Sequence, residues 1–341
     1  MDNFDSLVND LELGKKLMNE FYPSITINEI KIIQGGGIKT IWKIESSIGT
    51  ICLKRIRKNI PIVNFTTAAQ DYLYQKGALV ARIIPTKDNE LFFVHEGFGL
   101  VLYEWIDGTD LDMEENQEHL DIGLKGLAQF HLDSVGFAPP DDWKTYDRMG
   151  AWPRHYNTML EEMKEWKIIS QSETSEFHQA FLTSADEMIE MAQLAVDMLN
   201  NSTYTKWVDD IGKFGYMCHQ DYGKGNALQT EKGVYILDLD NLAYDIPLRD
   251  VRKLIVGRIE ELGAWDLEEM ERLIDVYASV FPLTEDQRKI IYIDMLYPHK
   301  FYGYVKKPFK KKEAGELKKL NKSYIVDKEK IAVLKLALNI N

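Results

Sequence analysis

Alternation of apolar and polar residues dominates the first hundred positions of the chain, after one segment with helical spacing. The alternating runs are interrupted by glycine, serine and aspartate, the residues that commonly form turns between antiparallel strands. The elements that this pattern predicts are a helix at 4–21, strands within 28–58, a helix at 64–76 that begins near Asn64, and strands near 91–95 and 99–106.

Almost all of the sequence after residue 106 has the apolar spacing of amphipathic helices. The exception is 214–240, where short strand-like pieces surround a polar, glycine-containing loop. The sequence therefore predicts an α+β protein with two lobes, a small antiparallel β-lobe at 1–105 and a large, mainly helical lobe at 106–341. Proteins with two lobes commonly bind their ligands in the cleft between them.

Charge and composition narrow the classes of function. A net charge of −13 over 341 residues makes binding to nucleic acid unexpected. Residues 301–341 nevertheless hold eleven lysines, no arginine and four acidic residues. This basic segment either binds an anionic partner or forms a solvated helix face. The acidic N-terminus lacks the apolar core of a signal peptide, and no stretch approaches the ~20 apolar residues of a membrane span. We expect a protein made in the cytoplasm.

The segment 219–226, HQDYGKGN, has the form H-x-D-x-x-x-x-N, and Asp238 follows twelve residues later at the end of a strand-like run. Phosphoryl transfer from ATP requires a carboxylate that orients and deprotonates the acceptor hydroxyl, and oxygen ligands that hold Mg²⁺ against the phosphates. Asp221 suits the base, whereas Asn226 and Asp238 suit the metal. Strand alternation over 234–240 predicts that Asp238 and Asp240 lie on one face. The alternative is a surface hairpin rich in Asp and Asn, which the whole set of residues makes the weaker hypothesis.

Lys54 lies in the run TICLKRI of the β-lobe, where strand alternation places Cys52 on the same face. A strand lysine in a phosphotransferase pairs with the α- and β-phosphates of the nucleotide, so Cys52 would face the adenine. A lone strand lysine is more often a solvent-facing edge charge. Together with the motif at 219–238, the nucleotide-binding interpretation is favoured.

Two further segments could contact the nucleotide. Gly35, Gly36 and Gly37 separate the first two strands, where glycines allow backbone amides to approach phosphates, although a plain flexible turn explains them equally well. Glu104 and Ile106 lie at the exit of the β-lobe, where backbone groups could meet an adenine. The sequence therefore predicts a site for ATP, or another nucleoside triphosphate, with Mg²⁺.

These motifs resemble the aminoglycoside phosphotransferase and choline kinase branch of the protein-kinase-like fold. The loop HQDYGKGN is similar to the H-G-D-x-x-x-x-N loop of that branch, with Gln220 in the place of the glycine. Within the branch, the chain resembles the spore-coat protein S family of endospore-forming bacteria. The matching segments are KRI at Lys54, YLYQKGALVARII at 72–84, YDIPLRDVRKLI at 244–255 and YPHKFYGYVKK at 297–307.

The resemblance implies a role for each motif residue. It makes Asp221 the catalytic base, and it implies that His219 holds the loop in shape, Asp250 braces it from the following helix, and Lys224 could touch the γ-phosphate. It also implies that the protein is made in the mother-cell cytoplasm and lies in the spore coat, with other coat proteins as partners. The hydroxyl acceptor, a small molecule or a coat component, is not specified.

One departure from the family pattern matters for catalysis. Related sequences carry a glutamate in the β-lobe helix that pairs with the strand lysine, and that place falls at Ala68. Either Asp71 substitutes, or the helix register shifts, or Lys54 lacks a partner. Two hypotheses follow, an active phosphotransferase and a catalytically weak or inactive pseudokinase that serves as a structural component of the coat.

Overall fold

The computed structural model describes residues 2–35, 40–311 and 313–340. Its first elements are α1 (Asp2–Phe21), β1 (Ile27–Gln34), β2 (Ile41–Ser46), β3 (Gly49–Ile56), α2 (Ile60–Gln75), β4 (Phe93–His95), β5 (Phe98–Glu104), β6 (Thr109–Asp110) and α3 (Gln117–Asp133). They are followed by α4 (Trp152–Gln171), α5 (Glu176–Asn200), α6 (Tyr204–Ile211), β7 (Met217–Cys218), β8 (Ala227–Thr230), β9 (Gly233–Ile236), a 3₁₀ turn (Leu239–Asn241), β10 (Ala243–Tyr244), α7 (Leu248–Leu262), α8 (Leu267–Ala278), α9 (Glu285–Leu296), α10 (His299–Lys311) and α11 (Leu317–Ala337).

The chain divides into two compact units. The first, here called the β-unit, contains Met1–Asp112, Gln129–Asp147 and His219–Ala243, and the second, the helical unit, contains Met113–Ala128, Arg148–Cys218 and Tyr244–Asn341. The lobe boundary between residues 105 and 106 stays a prediction. The loop motif and Asp238 belong to the same unit as Lys54, although 165 or more residues separate them in sequence.

An antiparallel sheet with the strand order β1-β2-β3-β5-β4 forms the centre of the β-unit. Leu53 on one face of β3 belongs to an apolar core with Trp42 and residues of α1. Cys52 and Lys54 lie on the opposite face, paired in register with Tyr103 and Val101 of β5. The alternation predicted for this strand is therefore confirmed, and it directs Lys54 away from the core under α1.

Helix α1 lies very close to β2 of the same sheet. A Cβ atom added at Gly14 would stand 2.8 Å from the indole ring of Trp42 and 2.9 Å from Ile30. The indole Nε1 of Trp42 in turn donates a hydrogen bond of 2.8 Å to the main-chain oxygen of Asp10. Glycine is therefore required at position 14 by the close approach of the helix to the sheet.

Helix α2 begins earlier than the sequence pattern predicted. Its N-cap is Asn59, whose side chain accepts a hydrogen bond from the Ile62 amide, whereas Asn64 lies inside the helix. Pro61 in the first turn fits this start, because the missing amide of proline costs nothing there. The helix ends before Gly77, which adopts a φ of +87°, as the sequence predicted.

The helical unit is built around α5, which packs against α4, α9 and α11. Buried in it is the carboxylate of Asp294, bonded to Arg252 Nε at 2.7 Å, to His299 Nε2 at 2.8 Å and to the hydroxyl of Tyr156. Burial and the nearby Arg252 lower the pKa of His299 to about 4. Burial raises the pKa of Asp294, but Arg252, His299 and Tyr156 together outweigh it and lower this pKa to about 2. The part of the chain that the structure describes holds no helix both long and apolar enough to cross a bilayer.

Candidate functional site

The loop at 219–226 is held in place by the buried ring of His219. His219 Nε2 lies 2.8 Å from the main-chain oxygen of Leu237, and its Nδ1 lies 3.2 Å from the amide of Asp221. A carbonyl can only accept and an amide N–H can only donate, so the ring is the neutral tautomer with its proton on Nε2. His219 thus connects the start of the loop to the residue before Asp238, the geometry that a loop-holding role requires.

Asn226 lies next to Asp238 because the main chain of the two segments is paired. The Leu237 amide donates to the Asn226 main-chain oxygen at 3.0 Å, which continues the pairing of β8 with β9. The side-chain amide of Asn226 donates to the Asp221 main-chain oxygen, also at 3.0 Å. Because the nitrogen is used in this bond, the side-chain oxygen Oδ1 of Asn226 is the atom that can hold a metal ion.

Lys54 is bonded to two aspartates. Its Nζ lies 2.7 Å from Asp238 Oδ1 and 2.7 Å from Asp240 Oδ2. Burial lowers the pKa of Lys54, but the attraction of Asp240 and Asp238 outweighs it, so the net shift is upward. Burial raises the pKa of Asp240 despite the opposing attraction of Lys54, and the neighbouring Asp238 raises it further. The ammonium group and two ionised carboxylates carry a net charge of −1 in a largely buried place, and a divalent cation would compensate it.

The path of the chain through these aspartates differs from the prediction. Strand alternation over 234–240 was expected to bring Asp238 and Asp240 to one face, but β9 ends at Ile236. Asp238 instead has left-handed backbone angles, with φ 59° and ψ 56°, and a 3₁₀ turn follows it. Aspartate tolerates this conformation better than most residues. The turn, rather than strand periodicity, therefore brings both carboxylates to Lys54.

The helix that should supply a glutamate to Lys54 supplies no acid in contact with it. Within the described ranges, the carboxylates at ion-pair distance from Lys54 are those of Asp238 and Asp240. Ala68 is half-buried, and Asp71 has no ion pair with Lys54. Of the three possibilities left by the sequence, Lys54 neither recruits Asp71 nor lacks a partner. Its partners come from the metal-binding segment itself.

An apolar surface lies beside Lys54 on the same face of the sheet. Cys52, Ile106 and Leu237 are partly buried and pack against a cluster that includes Val101 and Tyr103. Burial raises the pKa of the Cys52 thiol to about 12, which makes it an apolar contact rather than a nucleophile. A flat aromatic base can be accommodated between such residues.

The exit of β5 offers few free backbone groups to a base. The amide of Glu104 donates to the Arg82 main-chain oxygen at 2.9 Å, and the amide of Trp105 donates to Thr50 at 3.1 Å. Glu104 also uses its carboxylate to accept a bond from the Arg82 amide. Among the described residues of this stretch, Ile106 is therefore better placed than Glu104 to present its amide to a ligand.

Lys224 and Gly35 are two further residues that the sequence predicted for the site. Lys224 Nζ forms an ion pair with Asp112 Oδ2 at 2.6 Å, and the Gly225 amide donates to Asp110 Oδ1 at 2.8 Å. The loop is thus tied to the segment around β6, two contacts for which the sequence offered no signal. Gly35 is exposed at the end of β1.

The predictions for Gly36, Gly37 and Asp250 are not tested by the contacts described above. Gly36 and Gly37 lie outside the described residues. Asp250 is fully buried in the first turn of α7, within the helical unit, where Arg249 approaches it at 3.3 Å. Its role as a brace for the loop stays a prediction.

Gln220 of the loop adopts a φ of +70°, a conformation that suits the glycine found there in related loops.

The architecture is the protein-kinase-like fold. An aminoglycoside phosphotransferase from Alicyclobacillus acidocaldarius has the same fold, with a TM-score of 0.73 and 19% identity over 92% of each chain. A spectinomycin phosphotransferase, solved with ADP and spectinomycin, gives a TM-score of 0.56 at 16% identity and covers 96% of this chain and 97% of its own. The predicted fold class is confirmed.

The chain belongs to the family described as "Spore coat putative kinase YutH", whose model matches residues 27–330. It is also similar to spore coat protein S of Bacillus subtilis, at 28% identity over 282 residues, which are 82% of this chain and 80% of that protein. The resemblance inferred from the sequence motifs is therefore confirmed at the level of the family.

Proposed function

We propose that this protein binds MgATP at the Lys54 site and transfers the γ-phosphate to a hydroxyl group, as a component of the bacterial spore coat. The observation that carries the proposal is the meeting of Lys54, Asp238 and Asn226 in one unit, next to the apolar surface at Cys52 and Ile106. The place in the coat is supported by the similarity to spore coat protein S.

The donor set fits a magnesium ion. Asp238 and Asn226 offer a carboxylate and an amide oxygen, the hard ligands that Mg²⁺ prefers while it keeps several waters. The net negative charge of the Lys54 cluster supplies the electrostatic reason to hold a cation there. When bound, Mg²⁺ would neutralise charge on the phosphates and orient them.

Each residue of the site would then have a distinct role. Lys54 would turn its ammonium group toward the α- and β-phosphates, and Ile106 would present its backbone to the base. Asp221 is exposed at the loop surface, where it would accept the proton of the acceptor hydroxyl as that oxygen attacks the γ-phosphorus. His219 would keep the loop in register with Asp238 through its bonds to Leu237 and Asp221.

A catalytically inactive coat component is the second candidate. The absence of an acidic partner for Lys54 from α2, among the described residues, favours it. In that case the protein would retain the fold and binding of a nucleotide without transferring phosphate. The two candidates agree on the place in the spore and differ in turnover alone.

Nucleotide binding is tested first. Thermal or urea denaturation with millimolar MgATP should show stabilisation, which is about 2.7 kcal/mol when the free ligand is at a hundred times its Kd. ATP with EDTA should stabilise less, because Asp238 and Asn226 would then have no metal to hold. An unchanged midpoint with MgATP would contradict the proposed function.

Turnover is tested with Asp221→Asn. Transfer of labelled γ-phosphate from ATP to small molecules and proteins of a spore-coat extract should fall by ~10²–10⁴-fold, because the base is lost. MgATP should bind Asp221→Asn as it binds the unchanged protein. Asp209→Asn is the matched control, since Asp209 is an exposed aspartate of α6 outside the site. Equal transfer by both variants would refute the base assignment, and binding without transfer in the unchanged protein would support the inactive candidate.

A further inference from the structure

Lys54 needs an anionic partner in every state of the protein because it is buried. Its side chain is 8% exposed, and its two partners differ in depth, with Asp240 at 12% and Asp238 at 26% exposure. An ammonium group in such a place is stable only while an anion compensates it. A carboxylate must therefore hold Lys54 whenever no phosphate is bound, and one that stays in place also keeps the ammonium group oriented when a nucleotide enters.

Asp238 cannot serve Lys54 alone if it also holds the metal, a point that rests on the proposed function. A cation at Asp238 would draw the carboxylate away from Lys54 and repel the ammonium group. Asp240 is the deeper carboxylate, and Lys54 is its ion-pair partner within the described residues. We propose that Asp240 is the positioning residue of Lys54, in the role that related proteins give to a glutamate of the β-lobe helix.

The local backbone explains how Asp240 reaches Lys54. The left-handed residue Asp238 and the following 3₁₀ turn bring two carboxylates, two residues apart, to the same ammonium group. Leu239 between them is 2% exposed and anchors the turn in the core. Asn241 Oδ1 accepts a bond of 2.6 Å from Lys58 Nζ, which fixes the far end of the turn to the start of α2.

This arrangement has a consequence for regulation. Where a helix glutamate orients the strand lysine, movement of the helix switches the site on and off. Here the positioning acid is two residues from the metal-binding acid, and the buried residues of α2 include no acid. Lys54 is therefore oriented without an acid from α2, so withdrawal of such an acid cannot switch this site off.

The first experiment requires no nucleotide. Lys54 is acylated with a large excess of acetic anhydride at pH 8, and its modification rate is followed by peptide mass spectrometry in the unchanged protein, Asp240→Asn and Asp71→Asn. Loss of the Asp240 carboxylate should raise the Lys54 rate several-fold, because Asp238 alone then holds the ammonium group. Asp71→Asn is the matched control on α2, and its rate should equal that of the unchanged protein. Equal rates in Asp240→Asn and Asp71→Asn would overturn the pairing.

The second experiment separates positioning from direct metal binding. In Asp240→Asn, Lys54 should turn to Asp238, so the Mg²⁺ concentration for half-maximal nucleotide binding should rise about tenfold or more, while Asp240→Glu should restore most of the loss. In a Lys54→Met background, Asp240→Asn should raise this concentration several times less, because no ammonium group is left to turn to Asp238. An undiminished tenfold effect in that background would show that Asp240 acts on the metal and would overturn its positioning role.

The two proposals fail in different ways. If the unchanged protein binds no nucleotide at millimolar MgATP, the proposed function is wrong, whereas the acylation rates still decide whether Asp240 holds Lys54. If Asp240→Asn does not fold, the comparison uses Asp240→Glu, whose rate should lie close to that of the unchanged protein. A tenfold faster rate in that folded, charge-retaining variant would overturn the inference.

Discussion

Replacing Lys54 by methionine would test the electrostatics of the site directly. Methionine preserves the length and apolar stem of the side chain, so the perturbation is the loss of one buried ammonium group. Asp238 and Asp240 would then face each other without a cation in the β-unit. The change leaves the sheet register intact, since the main chain of position 54 remains paired with Ile41 and Val101.

The expected loss follows from the burial of the partners. Removing one partner of a buried ion pair costs ~3–5 kcal/mol of unfolding free energy. Asp240 is 12% exposed, but Asp238 is 26% exposed and keeps part of its hydration. We therefore expect the lower end of the range, about 3 kcal/mol at pH 7.5. Also replacing Asp240 by asparagine should recover part of this loss, because one uncompensated carboxylate is removed.

The pH dependence gives the effect a sign. Burial already raises the pKa of Asp240, and without Lys54 the pKa of the aspartate pair rises further. A carboxyl group with a raised folded-state pKa contributes stability at low pH, which is lost as the pH rises through that pKa. The deficit of Lys54→Met should therefore be largest near pH 8 and shrink toward pH 5.

Equilibrium urea denaturation, followed by tryptophan fluorescence at pH 5.0 and 7.5, measures this deficit. Added Mg²⁺ should stabilise Lys54→Met more than the unchanged protein, since the variant site carries one more negative charge. A deficit below about 1 kcal/mol at pH 7.5, or an equal deficit at both pH values, would refute the reasoning.

Two other predictions concern the scaffold. Gly14→Ala should lower the unfolding free energy by ~1–3 kcal/mol in urea denaturation, because its Cβ would stand 2.8 Å from Trp42. Gly303→Ala, in α10 with open space at its Cβ, is the control and should raise it by up to ~1 kcal/mol. The pKa of His299 is lowered from 6.5 to about 4 in the folded protein, so the unfolded state binds the proton first as the pH falls. The unfolding free energy should therefore decrease between about pH 6.5 and pH 4. His299→Asn should make that decline shallower in urea titrations at pH 7 and 4.5, and an unchanged decline would exclude His299 as its source.

Local patterns in the sequence were sufficient for the elements that carry the site. Alternation placed Cys52 and Lys54 on one face of β3, and the structure confirms it. The spacing of His219, Asp221 and Asn226 identified the loop, because these residues act through a short segment with its own turn chemistry. The start of α2 predicted at Asn64 is too late, because Asn59 caps the helix.

The partner of Lys54 could not be derived from the pattern. The family pattern predicts a carboxylate on α2, where the chain has Ala68, whereas an acid that pairs with Lys54 is Asp240, two residues after Asp238. Strand periodicity predicted the two aspartates on one face, but β9 ends at Ile236 and the left-handed residue Asp238 follows. The turn after Asp238, not a continued strand, brings both carboxylates to Lys54. A left-handed conformation at a residue other than glycine depends on the surrounding structure that stabilises it.

The sequence by itself determined the class of fold, the polar loop and the strand lysine, because periodicity and motif spacing are properties of neighbouring residues. The tertiary structure alone decided that Lys54 meets Asp238 and Asp240, that Lys224 is tied to Asp112, and that residues 219–243 share a compact unit with the first sheet. These contacts join residues more than a hundred positions apart, and their formation depends on how the apolar surfaces of the sheet and helices pack. The acid that orients the lysine is therefore a property of the folded chain rather than of the motif.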